Sequence, residues 1–271
     1  MREKINLKAK VTLPPRTKIH FLGIFLCVFI VAGIIGCDSE DGLNCTQTAG
    51  ELIEQEVTTT AFDKILIYER MKLIVKDGPV QKVVIKTGSN LLNDIDVTVE
   101  DNRLVVVNNN GCNVVREYGI TIIEVTSPNI TEIRSSTGED ISSDGVIGWD
   151  TLTLLSTDGP EEDFYHSDGD FKLDLNVQNL TINTDNISNF YLSGNVVNAN
   201  LNWDKGDGRL IAPDLVIQNA QIFHRGTASW NMDVKQNIAG TISGYGDVIL
   251  KERPTTITVQ ETWRGRLIIP E

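Results

Sequence analysis

The side chains best suited to chemistry lie together in one acidic segment, "DGPEEDFYHSDGD", at residues 158–170. Carboxylate oxygens at high density are the ligands that Ca²⁺ prefers in proteins, so this segment is a candidate calcium site. Its spacing matches neither an EF-hand nor a nonapeptide calcium repeat, and such a charge run is also typical of a solvated loop. The candidate ligands are Asp158, Glu161, Glu162, Asp163, Asp168 and Asp170.

The same carboxylates fit a second chemistry, glycan cleavage, because β-helical polysaccharide lyases and hydrolases combine acids with Ca²⁺ and a basic residue. No Lys or Arg lies between residues 151 and 171 to supply that base. Beyond residue 36 the chain has two histidines, His166 and His224, and we expect His224 to be a turn residue. The GxSxG, HExxH and P-loop patterns are absent from the sequence. These observations favour a protein that is not an enzyme.

A cysteine ends the apolar segment near the start of the chain. Residues 1–20 carry six basic residues and one acid, and residues 21–35 carry no charge, which predicts a secretory signal over residues 1–36. The apolar run is shorter than the roughly 20 residues of a membrane-spanning helix. "IIGC", which ends at Cys37, resembles the bacterial lipobox. The resemblance implies that Cys37 carries the acyl chains that hold the mature protein on a membrane.

The residues after Cys37 bear on the location of the protein. The acidic run with Ser39, Glu40 and Asp41 resembles the signal that sends Bacteroidota lipoproteins to the cell surface. Asp38, directly after the cysteine, instead resembles an inner-membrane retention signal of other Gram-negative lineages. We predict a lipid anchor in the outer membrane and a position on the cell surface, with the periplasmic side as the alternative.

Two further cysteines, Cys45 and Cys112, remain after the signal and the anchor are set aside. An even pair in an exported chain predicts a disulfide, because that compartment is oxidising. The bond would join residues 37–56, a lipid-anchored tether, to the folded part of the chain. No second Cys or His lies at ligand spacing from either cysteine, so we expect no metal site there.

The net charge limits the partners. The whole chain carries −13, and the residues beyond the predicted signal carry −18. Such a surface repels nucleic acid and anionic lipid, which argues against a nucleic-acid partner. A glycan or a cell-surface protein remains compatible with this charge.

Residues 57–126 have the pattern of β-strands: runs rich in Val, Ile and Thr, separated by Asp-Gly, Thr-Gly and Asp-Asn turns. Several runs alternate apolar and polar residues, as at Ile95, Val97 and Val99, which indicates one buried and one wet face. This pattern predicts a β-meander.

Residues 127–271 carry a repeat of a polar residue followed by spaced apolar residues. Its units begin at residues 129, 151, 179, 200, 219, 237 and 256, with a mean spacing near 21. Short strands at such a period, broken by Gly and Asn, are typical of a β-solenoid, here of about seven coils. We therefore predict an all-β protein in which residues 57–271 form one continuous fold.

The repeat alignment also assigns the asparagines and tryptophans. Asparagines that begin five units are predicted to stack and to hydrogen-bond along the axis, which is an architectural role. Trp203 aligns with Ile182 and Ile222 and should point inward. Trp149, Trp230 and Trp263 lie beside turns, where packing at a cap or corner is the favoured role and a place on a binding face is the second candidate role. The five asparagines are Asn129, Asn179, Asn200, Asn219 and Asn237.

Several stretches together resemble a known family. They are "FDKILI" (62–67), "RLVVV" (103–107), "ITIIEVTSPNITEIRSSTGEDI" (120–141) and "ISGYGDVIL" (242–250), with Cys112 between them. They are similar to the putative auto-transporter adhesin, head GIN domain family, which is common among Bacteroidota lipoproteins. The resemblance covers about residues 45–250. It implies a right-handed β-helix-like fold and no established activity.

We therefore expect a cell-envelope lipoprotein that acts as a non-enzymatic binding or adhesion module. One alternative is a carbohydrate-active, polysaccharide lyase-like β-helix enzyme that uses the acidic segment. The other is a structural envelope protein. No cofactor is expected, apart from the candidate Ca²⁺ of the acidic segment.

Overall fold

The computed structural model describes Cys45, residues 47–111, Asn113, residues 116–158 and residues 168–270. A single 3-10 turn at Leu92–Asp94 accompanies the strands of this part of the chain. The strands are β1 (Leu52–Val57), β2 (Lys64–Tyr68), β3 (Lys72–Asp77), β4 (Lys82–Gly88), β5 (Ile95–Glu100), β6 (Arg103–Asn108), β7 (Ile122–Ser127), β8 (Glu132–Ser136), β9 (Ile141–Ile147), β10 (Thr151–Ser156), β11 (Phe171–Thr184), β12 (Phe190–Trp203), β13 (Leu210–His224), β14 (Trp230–Ile242), β15 (Val248–Leu250), β16 (Thr256–Glu261) and β17 (Leu267–Ile268).

All seventeen strands belong to one continuous sheet. The first of its two ladders runs in the order β5, β6, β2, β8, β10, β11, β12, β13, β14 and β16. The second runs through β1, β4, β7, β3 and β9, continues through the long strands β11 to β14, and ends in β15 and β17. Strands β11 to β14 are 13 to 15 residues long and belong to both ladders.

The prediction of an all-β protein is confirmed, but the predicted solenoid of about seven coils is not. The sheet is a nearly closed, barrel-like surface, and the structure gives no support for a right-handed β-helix of seven coils. The physical reason lies in the strand lengths and directions. The long strands join the two ladders directly, and antiparallel pairs such as β1 with β4 and β5 with β6 lie at the N-terminal end.

The predicted β-meander over residues 57–126 is also corrected. Only β5 and β6 there are consecutive antiparallel neighbours, joined by Asp101 and Asn102 with φ angles of 49° and 61°. Positive φ at both turn residues is typical of a type I′ hairpin. Strand β2 instead pairs in parallel with β6 and β8, and β3 with β7 and β9. Alternation of apolar and polar residues shows which face of a strand is buried, but it does not show which strand lies beside it.

The repeat itself corresponds to real strand pairing. Asn179 aligns with Thr151 and Asn198, and Asn219 aligns with Asn198 and Asn237. The predicted unit start at residue 200 is therefore displaced by two residues. Because side chains alternate with a period of two, this displacement leaves every residue of the strand on its predicted face.

The core contains a row of packed rings. Phe171 stacks on Phe190 with ring centroids 4.7 Å apart, and Phe190 meets Trp203 edge to face at 5.1 Å. Trp203 meets Trp230 at 4.5 Å, and Trp230 meets His224 at 4.2 Å. Trp203 is fully buried, as predicted, although it aligns with Thr184 and His224 rather than with Ile182 and Ile222. Such ring pairs add to the stabilisation from burial alone.

Candidate functional site

An uncharged outward face covers six strands of the first ladder: β10 to β14 and β16. Three outward residues from each strand align across the ladder in three rows. We call this surface the amide face. Its first row is Thr151, Asn179, Asn198, Asn219, Asn237 and Thr256; its central row is Thr153, Thr181, Asn200, Gln221, Ala239 and Thr258; its third row is Leu155, Asn183, Asn202, Phe223, Thr241 and Gln260.

The composition of the amide face differs sharply from that of the chain. Fifteen of its eighteen residues are Asn, Gln or Thr, and none is Asp, Glu, Lys or Arg. Charged residues make up 23% of the whole chain. A face of this size without one charge is therefore a distinct surface within an acidic protein.

The first row of the amide face is an asparagine ladder. Asn198 Nδ2 donates to Asn179 Oδ1 at 3.1 Å, Asn219 Nδ2 to Asn198 Oδ1 at 3.1 Å, and Asn237 Nδ2 to Asn219 Oδ1 at 2.7 Å. The predicted hydrogen bonding along the axis is confirmed for Asn179, Asn219 and Asn237. Asn198 takes the place that was predicted for Asn200.

Asn129, the remaining member of the predicted set, lies just before β8. Its backbone, rather than its side chain, exchanges hydrogen bonds with the hydroxyl of Ser127. A shorter ladder holds part of the third row, where Asn202 Nδ2 donates to Asn183 Oδ1 at 2.9 Å. Amide-to-amide bonds thus hold both outer rows of the amide face.

The central row is different, because three of its polar side chains form no hydrogen bond within the described part of the chain. The side chains of Thr181, Asn200 and Gln221 have no hydrogen-bonding partner among the described residues. Asn200 and Gln221 are also exposed. The first and central rows line a shallow groove of about 360 Å³. Free amides and hydroxyls both donate and accept, so the groove suits a neutral ligand rich in hydroxyl groups.

Of the three candidate aromatics, Trp149 and Trp230 have the packing role and are not available for binding. Trp149 is buried, and its Nε1 donates to the carbonyl oxygen of Ser127 at 3.1 Å. Trp230 is fully buried in the ring row of the core. Both face the apolar interior, because the turns beside them place the rings inside the sheet. Trp263 is 54% exposed and lies next to Tyr245.

The acidic segment is only partly described. Glu161, Glu162, Asp163 and His166 lie outside the described residues. Asn186 Nδ2 donates to Asp158 Oδ1 at 3.1 Å, and both nitrogens of Asn189 donate to Asp170 Oδ1. In the described ranges, no group of three or more His, Cys, Asp or Glu side chains could hold a metal ion. Calcium binding by the whole segment stays a prediction.

Of the predicted lipid and disulfide residues, only Cys45 lies among the described residues. Cys37 lies outside the described residues, and so does Cys112, so its pairing with Cys45 stays a prediction. No helix in the described part of the chain is long and apolar enough to cross a bilayer.

His224 is not the turn residue that the sequence predicted. It is the last residue of β13, and its ring is fully buried against Trp230. This burial lowers the pKa of His224 from 6.5 to about 4, although a backbone contact with Ala228 and the charge of Asp247 oppose the shift. The imidazole is therefore neutral at physiological pH and is closed off from any substrate.

Sequence reasoning did not identify the free central row of the amide face. The signal was present in "NANLNW" (198–203), where Asn alternates with apolar residues on three successive outward positions. The alignment of the ladder was needed to show that these positions continue into Thr181 and Gln221 without a charge.

Comparisons with known proteins agree with this fold. Three solved structures are similar to the chain: a putative adhesin from Bacteroides fragilis (TM-score 0.72, 19% identity, 82% of this chain and 99% of that one), a putative adhesin from Parabacteroides merdae (0.57, 17%, 83% and 98%) and a putative lipid binding protein from Parabacteroides distasonis (0.56, 14%, 82% and 98%). No curated protein shows significant similarity to the chain. The model of one family matches residues 61–254. The chain therefore belongs to the putative auto-transporter adhesin, head GIN domain family.

Proposed function

We propose that this protein is a lipid-anchored, cell-surface binding module that attaches to neutral glycans through the amide face. One observation carries the proposal: six adjacent strands present eighteen outward residues without a single charge, and most of these residues are amides or hydroxyls. The family membership supports an adhesive role.

The construction of the amide face suits hydroxyl recognition. Neighbouring strands lie about 4.8 Å apart, and the central row offers a hydrogen-bonding side chain on five of its six strands, all except β14 with Ala239. The outer rows are held by their own amide bonds, which reduces the side-chain entropy lost on binding. Each hydrogen bond to a ligand contributes only about 0.5–1.5 kcal/mol net, so useful affinity requires several neighbouring contacts. A repeating polymer of sugars can make such contacts on successive strands.

The amide face also favours binding without cleavage. Glycoside hydrolysis needs a pair of carboxyl groups on either side of the scissile bond. The eighteen positions of the face contain no carboxyl group. A glycan that lies along the central row would therefore be held but not hydrolysed.

The double variant Asn200→Asp, Gln221→Glu tests the amide face. It replaces two free amides by carboxylates of nearly the same shape, so each site loses two donors. We expect the affinity for a bound neutral polysaccharide to fall about tenfold or more. Affinity electrophoresis of the full-length protein in soluble mannan, xylan and β-glucan measures this change.

The matched control is Asn176→Asp, Asn195→Asp, which makes the same change at two exposed, paired positions in the second ladder. This control should bind like the natural chain. An equal loss of polysaccharide affinity in both double variants would contradict the role of the amide face. So would a natural chain that binds none of the neutral polysaccharides.

The surface location is tested through the acidic run after Cys37. Replacement of Glu40 and Asp41 by alanine should leave the protein in the membrane fraction but remove its labelling by a membrane-impermeant biotin reagent on intact cells. Glu51→Ala, Glu100→Ala removes the same charge outside the run and should keep the labelling. Unchanged labelling of the first variant would refute the export signal.

A further inference from the structure

Two exposed aromatic rings meet at the C-terminal end of the amide face. Tyr245 is 56% exposed and Trp263 is 54% exposed. Their ring centroids are 6.5 Å apart and their planes are nearly perpendicular, at 78°. Arg264 places its guanidinium carbon 5.5 Å from the centroid of the Tyr245 ring. We call these three residues the aromatic corner. Among the described residues, Tyr245 and Trp263 form the one ring pair in which both rings are exposed.

The backbone below the aromatic corner is held firmly. The amide of Tyr245 donates to the carbonyl oxygen of Gly226 at 3.1 Å, and that of Gly265 donates to Gly244 at 3.0 Å. A Cβ atom on Gly265 would lie 2.2 Å from the carbonyl oxygen of Gly246, so only glycine allows these two turns to pack so closely. The rings therefore project from a stack of bonded glycine turns. A fixed platform of this kind loses little entropy when a ligand binds.

The C-terminal segment that carries Trp263 and Arg264 is basic, although Asp247 lies two residues after Tyr245. Residues 251–270 contain four basic residues and two acids, in a chain with a net charge of −13. Arg266 is engaged, since its Nε lies 3.6 Å from Glu261 Oε2 and its Nη1 donates to the carbonyl oxygen of Trp263. Arg264 forms no ion pair with any described residue. Its guanidinium edge remains available for a bidentate bond to a carboxylate.

We propose that the aromatic corner binds a sugar that carries a carboxylate, that is, a uronic acid unit of a glycan. The indole of Trp263 stacks against the sugar ring, and Arg264, held over Tyr245, receives the carboxylate. The assignment of a glycan as the ligand rests on the proposed function of the amide face. Gln260 of that face lies three residues before Trp263, so one glycan chain can reach both surfaces. The aromatic corner adds binding selectivity, because it distinguishes acidic from neutral sugar units.

The test compares polygalacturonate with the same polymer after chemical reduction of its carboxyl groups, with binding to the full-length protein measured by isothermal titration calorimetry. The natural chain should bind the acidic polymer at least tenfold more tightly than the reduced one. Arg264→Gln should abolish this preference, and Arg264→Lys should retain part of it, because charge remains but the bidentate geometry is lost. Trp263→Ala should weaken the binding of both polymers about tenfold.

Arg253→Gln is the matched control: it removes an exposed arginine from the same segment and should leave the preference unchanged. The proposal is overturned if the natural chain shows no preference, or if the preference survives Arg264→Gln. It is also overturned if poly-glutamate binds with the same dependence on Arg264, since the ligand would then be an acidic protein. The Asn200→Asp, Gln221→Glu variant should keep the preference for carboxylate, so failure of the amide face and failure of the corner give different results.

Discussion

The Trp230→Ala variant should unfold with a free energy about 3–5 kcal/mol lower than that of the natural chain. Trp230 is fully buried and joins Trp203 to His224 in the ring row of the core, with centroid distances of 4.5 and 4.2 Å. Removal of the indole leaves a cavity between these two rings, which belong to two other strands and cannot both move to fill it. Urea denaturation followed by far-ultraviolet circular dichroism measures the loss.

Trp263→Ala is the matched control, because it deletes the same side chain from an exposed site. It should change the free energy of unfolding by no more than about 0.5 kcal/mol. The pair thus separates a core tryptophan from an exposed tryptophan, which the sequence grouped together. A similar decrease in the free energy of unfolding for both variants would contradict the assignment of Trp263 to the surface.

Acidification from pH 7 to pH 4 should reduce the stability by about 3 kcal/mol through His224 alone. Burial lowers the pKa of His224 from 6.5 to about 4 in the folded protein. Between these two values the unfolded chain binds a proton that the folded protein does not bind, so stability falls as pH falls. The contribution of the neutral His224 to the free energy of unfolding is complete above about pH 6.5 and is lost by about pH 4.

The His224→Phe variant isolates this effect. It keeps an aromatic ring beside Trp230 but removes the titration of His224, and every carboxylate of the protein is the same in both forms. Urea denaturation of both proteins at pH 7, 5.5 and 4 should give a difference in stability that grows toward low pH in favour of the variant. Parallel pH profiles would show that His224 is accessible to protons in the folded state.

The amide face and the aromatic corner have different proposed binding roles along one stack of strands. In the proposed function, the central row of the face offers many weak, uncharged contacts between two outer rows that are held by amide bonds, so its binding strength depends on the length of the ligand. The corner offers a stacking surface and one free guanidinium, so its strength depends on the identity of one sugar unit. Together they would bind a mixed glycan more tightly than either polymer class alone.

Part of the candidate site could be predicted, and particular residues show where prediction stopped. The stacked asparagines were expected from their repeat, and three of the five lie in the observed ladder. Asn200 was assigned to that ladder in place of Asn198, because "NANLN" matches the repeat in two registers that put the same side chains outside. Only the backbone pairing between strands, which depends on residues about 20 positions apart, distinguishes the two registers.

The tryptophans show the same limit. Trp203 lies within an alternating strand, and its burial follows from that alternation. Trp149, Trp230 and Trp263 lie next to turns, where no periodicity indicates a face. Trp149 and Trp230 point into the apolar interior, and Trp263 points outward beside Tyr245. Trp230 packs against Trp203 and His224 of neighbouring strands, whereas Trp263 meets the exposed ring of Tyr245.

The sequence by itself determined the strand character of this chain, its period of about 20 residues, the inward and outward faces of most strands and the family. These properties are local, because they follow from side-chain alternation and turn residues within one unit. Only the tertiary structure decided which strands are neighbours, which asparagines stack, and which aromatic rings and amides remain free. Those properties arise from contacts between residues that are distant in the sequence. A shift of two residues in strand register, or a parallel instead of an antiparallel neighbour, leaves the apolar–polar alternation of each strand unchanged.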